Sequence, residues 1–339
     1  MKAKIKPRID LENRTKLETV IPLNVPFIIN VDPSDICNFQ CKFCPTGDRD
    51  LMKQTSGRNH GIMNFELYKK IVDDICEFES PVKVLRLYKD GEPLLNPKFG
   101  DMVKYAKKNP NILRVDTTTN ASLLNPERNL EIVEAGLDRI NISVEGVTEN
   151  QYKDFSKYNI DFDKYVENIA HFYKHKGRCE VFIKINGDIL SEHERNRFVD
   201  IFGDIADRIN IEHVMSCWPE FEVRGVDVNK DFGIHGQKIK EVQVCPYVFY
   251  SFSINSNGSA SLCFLDWSRK LIIGNAKIQS IKDIWNGKQI HEYQKMFLMK
   301  KRKEHYLCKD CGQMTHGMPD DIDEFAEVLL TKIKTAGIA

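Results

Sequence analysis

The stretch 34-SDICNFQCKFCPTGD-48 places cysteines at 37, 41 and 44 in a run of turn-forming residues, directly after the apolar run 27-FIINVD-32. Four thiolates would close a tetrahedral metal site. Three leave a site short of one ligand, or a site with one position kept open. A structural zinc site pairs two short-spaced cysteines with two more ligands nearby, and here no Cys or His follows until His60. Packing as small hydrophobes is the other reading of such cysteines. Their place after a strand matters too, because loops at the C-terminal ends of parallel strands carry active sites.

From that strand onward the chain alternates. The runs 82-VKVLRLY-88, 112-ILRVDTT-118, 139-RINISVE-145, 180-EVFIKIN-186 and 208-RINIEHV-214 are rich in Val, Ile and Phe, as strands buried on both faces should be. Amphipathic patterns between them predict helices near 65–79, 98–108, 127–135, 163–175 and 192–202. Asn125-Pro126 reads as a helix start, with proline where its missing N–H does no harm. Six strands alternating with helices predict parallel β/α units, arranged as a doubly wound sheet or a barrel. Past residue 216 the rhythm changes, and 219-PEFEVRGVDVNKDFGIHG-236 reads as a linker or covering loop. Next, 248-VFYSFSINSNGSASLCF-264 reads as a β-hairpin around Asn257-Gly258, followed by helices at 280–286, 288–300 and 320–334. The divisions are then 1–26 as an extension, 27–215 as the β/α unit, 216–244 as linker, 245–318 as a small domain and 319–339 as a terminal helix.

The chain has 339 residues, 42% hydrophobic and 29% charged, enough for one large core with a small domain appended. Lys plus Arg and Asp plus Glu both number 49, so the balance gives no basis for a nucleic-acid or anionic-membrane partner. The run Lys300-Lys301-Arg302-Lys303 reads as the solvated end of a helix. Neither a span of roughly 18 apolar residues nor a signal-peptide core is present, which predicts a cytoplasmic protein. Ten cysteines in a reducing compartment point to metal or redox chemistry. Cys76 and Cys179 stand alone and read as core residues.

Cys37-x3-Cys41-x2-Cys44, with Phe43 before the third cysteine, resembles the signature of the radical S-adenosylmethionine enzymes. The resemblance implies a partial (β/α)6 barrel over roughly residues 27–215, and a 4Fe–4S cluster on those three thiolates. The iron left free would chelate S-adenosylmethionine, whose one-electron cleavage releases a 5′-deoxyadenosyl radical. An external one-electron reductant of the flavodoxin or ferredoxin type is implied with it. Segment 90-DGEP-93 stands where the family carries a Gly-Gly-Glu-like element for the methionyl amino group, which places Gly91, Glu92 and Pro93 at the cofactor. Glycine admits close backbone approach, and a glutamate accepts from an ammonium. The residues alone read equally well as a turn with a solvated acid. The resemblance also brings Asn120 of 117-TTTNAS-122, and Ser143 and Glu145 of 143-SVEG-146, to the ribose or methionyl carboxylate. Where many relatives carry an arginine for that carboxylate, the nearest basic residue here is Lys157.

A second group comprises Cys245, Cys263 after the hairpin glycine Gly258, and the knuckle Cys308-x2-Cys311. Four thiolates suit zinc or an iron–sulfur cluster equally. The arrangement, with 272-IIGNAKIQSIKDIWNGKQI-290, resembles the SPASM domain appended to radical S-adenosylmethionine enzymes, which implies an auxiliary 4Fe–4S cluster. No cysteine follows Cys311, so the domain is the shortened, twitch-type form, as in the family's aminocyclitol dehydrogenases.

A cluster with all four ligands supplied suits electron transfer. The reaction expected is oxidation of an alcohol on a small polar substrate, such as a sugar, aminocyclitol or sugar nucleotide. Cys217, in 213-HVMSCWPEF-221 past the sixth strand, would make the enzyme an epimerase if it gives a hydrogen atom to a substrate radical. Its plain reading is a small residue buried beside Trp218. Peptide modification is a third possibility, disfavoured because only 26 residues precede the first strand. Asp188, Glu192, His193, Glu220 and Arg224 are polar loop residues available to substrate hydroxyls, and His316 reads as an exposed loop histidine. The non-enzymatic alternative is an electron carrier or a zinc-stabilised scaffold.

Overall fold

The computed structural model describes residues 1–223, 225, 228, 230–318 and 320–335. Its strands are β1 (Lys4–Ile5), β2 (Ile28–Val31), β3 (Val84–Arg86), β4 (Val115–Thr119), β5 (Arg139–Val144), β6 (Glu180–Asn186), β7 (Arg208–Glu212), β8 (Ser251–Ile254), β9 (Ser259–Ser261) and β10 (Ile272–Asn275). The helices of the first half are α1 (Leu17–Val20), α2 (Arg49–Gln54), α3 (Phe65–Asp74), α4 (Phe99–Ala106), α5 (Pro126–Glu134) and α6 (Glu149–Ser156). They are followed by α7 (Phe162–His175), α8 (Glu192–Phe202), α9 (Ile281–Trp285), α10 (Lys288–Leu298), α11 (Gln313–His316) and α12 (Ala326–Thr335).

All ten strands form one sheet, in the order β1-β7-β6-β5-β4-β3-β2-β8-β9-β10. From β2 to β7 neighbours in sequence are parallel neighbours in space, with helices between them, which gives the partial barrel. The predicted helix starts hold for a local reason. Asn125 caps α5 by accepting from Arg128 N, with Pro126 in the first turn, and Ser191 and Glu194 form a capping box on α8.

Three features depart from the sequence expectations. The strands are not apolar on both faces. Val181, Ile183 and Ile185 of β6 pack in the core, while Lys184 and Asn186 line a cavity inside the barrel. Helix α6 escaped prediction because its eight residues, ENQYKDFS, bury only Tyr152, Phe155 and Ser156. Cys76, read as core, is exposed, because the chain leaves α3 through a single 3-10 turn at Ile75–Glu77. Cys179 is buried.

The hairpin forms as β8 and β9, with Gly258 at φ +90° in its turn. Strand β8 also pairs in parallel with β2, so the C-terminal region extends the barrel sheet. The joint is reinforced by buried charge. Asp90, just beyond β3, receives Lys89 Nζ at 2.7 Å and Arg269 Nη1 at 2.5 Å, and Arg58 lies 4.0 Å away. Arg269 comes within 4 Å of Asp32 and Asp35 as well, so three carboxylates face three cations. Asp90→Ala strands a buried cation, and removing one partner of a buried ionic group costs about 3–5 kcal/mol. The urea midpoint of the variant is therefore expected to fall. A midpoint equal to wild type would show that the joint adds no stability.

Candidate active site

Cys37, Cys41 and Cys44 lie on the loop from β2 to α2, and three backbone contacts shape that loop. Glu92 N donates to Ile36 O at 2.9 Å, and a Cβ on Gly91 would overlap the carbonyl oxygens of Ser34 and Ile36. The DGEP turn is therefore docked directly on the cysteine loop, which only a residue without a side chain permits. On the other side, Gln40 N and Lys42 N donate to Ser156 O (2.7 Å) and Phe155 O (3.3 Å) at the end of α6. Gly47 closes the third side, where a Cβ would overlap the backbone at Cys41. Phe43 sets its ring 5.4 Å from Phe155.

Glu92 is buried, and its oxygens are largely engaged. Oε1 accepts from Leu94 N (2.9 Å) and Thr119 Oγ1 (2.7 Å), and Oε2 accepts from Asn120 N (2.7 Å). A carboxylate has about four acceptor sites, so one remains on Oε2. Burial raises the Glu92 carboxyl, and these three bonds pull it part of the way back. Asn120 Nδ2 donates to Asn38 Oδ1 and lies 3.9 Å from Cys37 Sγ. Ser143 and Glu145 line the same cavity, and burial pushes the Glu145 carboxyl up to about 7 against the pull of Lys184 and Cys41. Pro93 is buried in the first turn of a 3-10 segment. Lys157 is the exposed left-handed cap of α6 and does not line the cavity, whereas Lys184 does.

The second cysteine group converges from three segments. Cys245 precedes the 3-10 turn Pro246–Phe249, Cys263 follows β9, and Cys308 and Cys311 flank one turn before α11. Burial raises every one of these thiols, and their neighbours add to it: Cys311 and Cys308 act on Cys245, Cys245 and Cys311 on Cys263, and Cys263 and Cys311 on Cys308. Burial raises the thiols of the first group in the same way. Thiolates in such surroundings need a cationic centre to stabilise them, which iron supplies. Among the described residues no three His, Cys, Asp or Glu side chains form a group that could hold a single metal ion. Iron–sulfur clusters are held by cysteine thiolates, and the two groups supply three and four of them, so the donor sets fit clusters.

A cavity of about 430 Å³ is lined by all three first-group cysteines and by Cys217, but by none of the second group. Cys217 is buried, and its thiol, raised first by burial, is raised further by Cys311 and Cys44 of the two groups. The rest of the wall holds residues that sequence reasoning missed: Arg8, Arg86, Tyr88, Glu212 and His235 beside Lys184. For Arg86, Tyr88, Glu212 and Lys184 the sequence signal was a polar residue at alternate positions of an otherwise apolar run, whereas His235 lies in the stretch read as a linker. Arg8 had none. Of the polar loop residues expected at substrate, Glu192 and His193 are exposed on α8, and Glu220 pairs with Lys270 at 2.7 Å. Asp188 holds His213 at 2.7 Å, and Arg224 lies outside the described residues. His316 is half-buried in α11 rather than in an exposed loop.

A family model described as the radical SAM superfamily matches residues 31–202, over half of the chain. A second, described as the SPASM iron–sulfur cluster-binding domain, matches residues 245–312. The chain belongs to the radical SAM superfamily of enzymes, and iron–sulfur clusters and S-adenosylmethionine are its cofactors. It is 27% identical to GTP 3′,8-cyclase of Clostridium perfringens (strain SM101 / Type A) over 173 residues, 51% of this chain and 50% of that protein. It is 33% identical over 109 residues to the tungsten-containing aldehyde ferredoxin oxidoreductase cofactor-modifying protein of Pyrococcus furiosus, 32% of this chain and 28% of that one. The chain thus spans about half the length, or less, of these curated relatives. Among solved structures, BtrN in complex with AdoMet and 2-DOIA superposes with a TM-score of 0.57 at 19% identity, covering 88% of this chain and 98% of BtrN. SuiB of Streptococcus suis bound to precursor peptide SuiA gives 0.58 at 14% identity, covering 79% and 66%. Likeness at these identities establishes the fold. No helix among the described residues is long and apolar enough to cross a membrane.

Gly91→Ala must push the DGEP turn off the cysteine loop. Anaerobically reconstituted Gly91→Ala protein is expected to hold less iron than wild type, read by chemical iron and sulfide assay. Equal iron in the two proteins would show that the loop tolerates the displacement.

Proposed function

We propose that this enzyme oxidises an alcohol carbon of a small polar substrate, such as a sugar, aminocyclitol or sugar nucleotide, and that Cys37, Cys41 and Cys44 hold the cluster that binds S-adenosylmethionine. Cys245, Cys263, Cys308 and Cys311 would hold the auxiliary cluster. The observation that carries this reading is the cavity inside the barrel, which the first cysteine group lines together with polar side chains from the strands, and whose wall includes Cys217, with Cys311 Sγ of the second group 3.9 Å from Cys217 O. Four thiols in the second group leave no ligand position for substrate, which favours an electron-accepting role there. That arrangement resembles 2-deoxy-scyllo-inosamine dehydrogenase.

When bound, the cofactors supply hydrogen-atom abstraction and an acceptor for the second electron. The chain's own task is to place the substrate, exclude water and take the hydroxyl proton. His235 is the candidate acceptor: its Nδ1 is buried without a hydrogen-bond partner, and burial and Arg8 lower it to about 4, so the imidazole is neutral near pH 7. Asn186 Nδ2 is likewise buried without a partner in the cavity wall and suits a substrate hydroxyl. The remaining Oε2 acceptor of Glu92 would take the methionyl ammonium. An external one-electron donor of the flavodoxin or ferredoxin type completes the scheme.

Epimerisation is the second reading, favoured by Cys217 itself, whose buried thiol lines the cavity between the two groups. Deuterated solvent separates the two. Oxidation predicts no solvent deuterium at the reacting carbon and retained turnover in Cys217→Ala. Deuterium that enters the product and vanishes with Cys217→Ala would replace oxidation by epimerisation. Glu92→Gln is expected to weaken S-adenosylmethionine binding roughly ten- to hundred-fold while iron content holds. Unchanged binding would remove Glu92 from the cofactor's ligands.

A further inference from the structure

The N-terminal segment is not an appendage. Lys4 and Lys6 bond to the β7 edge, through Asp207 O at 3.0 Å and Ile209 O at 3.1 Å. The chain then turns inward and brings Arg8 and Arg14 to the cavity wall. Residue 8 is fixed from both sides. Arg208 donates to Pro7 O, Arg139 Nη1 donates to Arg8 O at 3.1 Å, and Arg14 forms a two-point pair with Asp320 at 2.6 Å and 2.6 Å.

The cations around the cavity differ in what they pair with. Arg86 is committed to Asp116 (3.0 and 3.2 Å), Lys184 to Glu212 (2.6 Å), Lys89 to Asp90 (2.7 Å) and Arg14 to Asp320. Arg8 is the exception. Its guanidinium donates to Tyr88 Oη at 2.6 Å, and no carboxylate forms an ion pair with it among the described residues. Glu212 and Asp116 are close enough to favour its charge, but each is engaged by another cation. Of Arg8, Arg86 and Lys184, Arg8 alone makes no ion pair with a carboxylate among the described residues, while Glu145, on which Lys184 acts, lines the same cavity. A guanidinium has five N–H donors, and most of these are free here. Arg8 is half-buried, and the planar fork that it presents at the cavity wall matches a carboxylate or a phosphate.

Resting on the reading of this cavity as the substrate site, we propose that Arg8 is the anchor for an anionic group, a carboxylate or a phosphate, carried by the substrate. The anion would sit against the Arg8 guanidinium, with Tyr88 Oη as a neighbouring donor. Backbone fixation of residues 7 and 8 spares the cost of ordering the arginine when the anion arrives.

The test uses the full chain, anaerobically reconstituted and saturated with S-adenosylmethionine. Its thermal midpoint is followed against sodium phosphate and against sodium acetate, with sodium chloride at matched ionic strength as the reference. A saturable rise beyond chloride is expected from at least one anion. Phosphate alone would mark a phosphoryl substrate, and acetate alone a carboxylate. In Arg8→Gln half-saturation should move up roughly ten- to hundred-fold, the cost of one charge-assisted contact. Arg8→Lys, which keeps the charge but not the fork, should fall between the two and shows that the cavity remains folded. No saturable rise in wild type would overturn the proposal, as would a rise that survives in Arg8→Gln. A rise seen only without S-adenosylmethionine would also overturn it, because Arg8 would then serve the cofactor's carboxylate. None of these readouts needs turnover, so the dehydrogenase reading stands or falls separately.

Discussion

The turn at Asp90-Gly91 is the constraint on which the rest of the molecule depends. Gly91 lets the turn lie against the backbone of the cysteine loop, and Asp90 draws Lys89, Arg58 and Arg269 into one buried, charge-balanced group. The first contact holds three thiols in one place, and the second clamps the C-terminal region to the barrel. Neither substitutes for the other. Close approach without the charges leaves the joint between β2 and β8 held by four residue pairs, and the charges without the glycine would meet a displaced loop.

Within that frame the cavity has two ends of different character. Near the cysteines it is shaped by backbone, with Glu92 tying β3 to the end of β4 through Thr119 and Asn120. Farther into the barrel it is shaped by polar side chains from the strands, Asn30, Arg86, Thr118, Ser143, Lys184 and Glu212 among them. A radical enzyme needs both. A rigid loop would hold a bound cluster in place, and the side chains inside the barrel would keep one C–H of a substrate in reach while water is kept out.

Spacing along the chain marked the alternating β/α units and the two cysteine groups, and resemblance to a family turned these into a partial barrel and iron–sulfur chemistry. Cys37-x3-Cys41-x2-Cys44 is local, and so are the alternating apolar runs, because both are consequences of neighbours along the chain. What remained hidden depends on distant partners. Arg8 reaches Tyr88 across eighty residues, and Arg14 reaches Asp320 across three hundred and six, so no local pattern marks either one. Lys157 was chosen for its nearness in sequence, but the left-handed turn at the end of α6 faces it outward, and Lys184 on β6 holds the interior position. Polar residues inside strands were the missed clue. Arg86, Lys184 and Glu212 break apolar runs at the alternate positions that a barrel turns inward.

The central claim is that the three-thiol group keeps an open position for S-adenosylmethionine while the four-thiol group is closed. Electron–nuclear double resonance on reduced protein loaded with amino-15N S-adenosylmethionine tests it most directly. The account predicts hyperfine coupling to the methionyl nitrogen in a Cys308→Ala, Cys311→Ala variant, and none when Cys37, Cys41 and Cys44 are all replaced by alanine. Coupling that persists in the second variant, or is missing from the first, would contradict it.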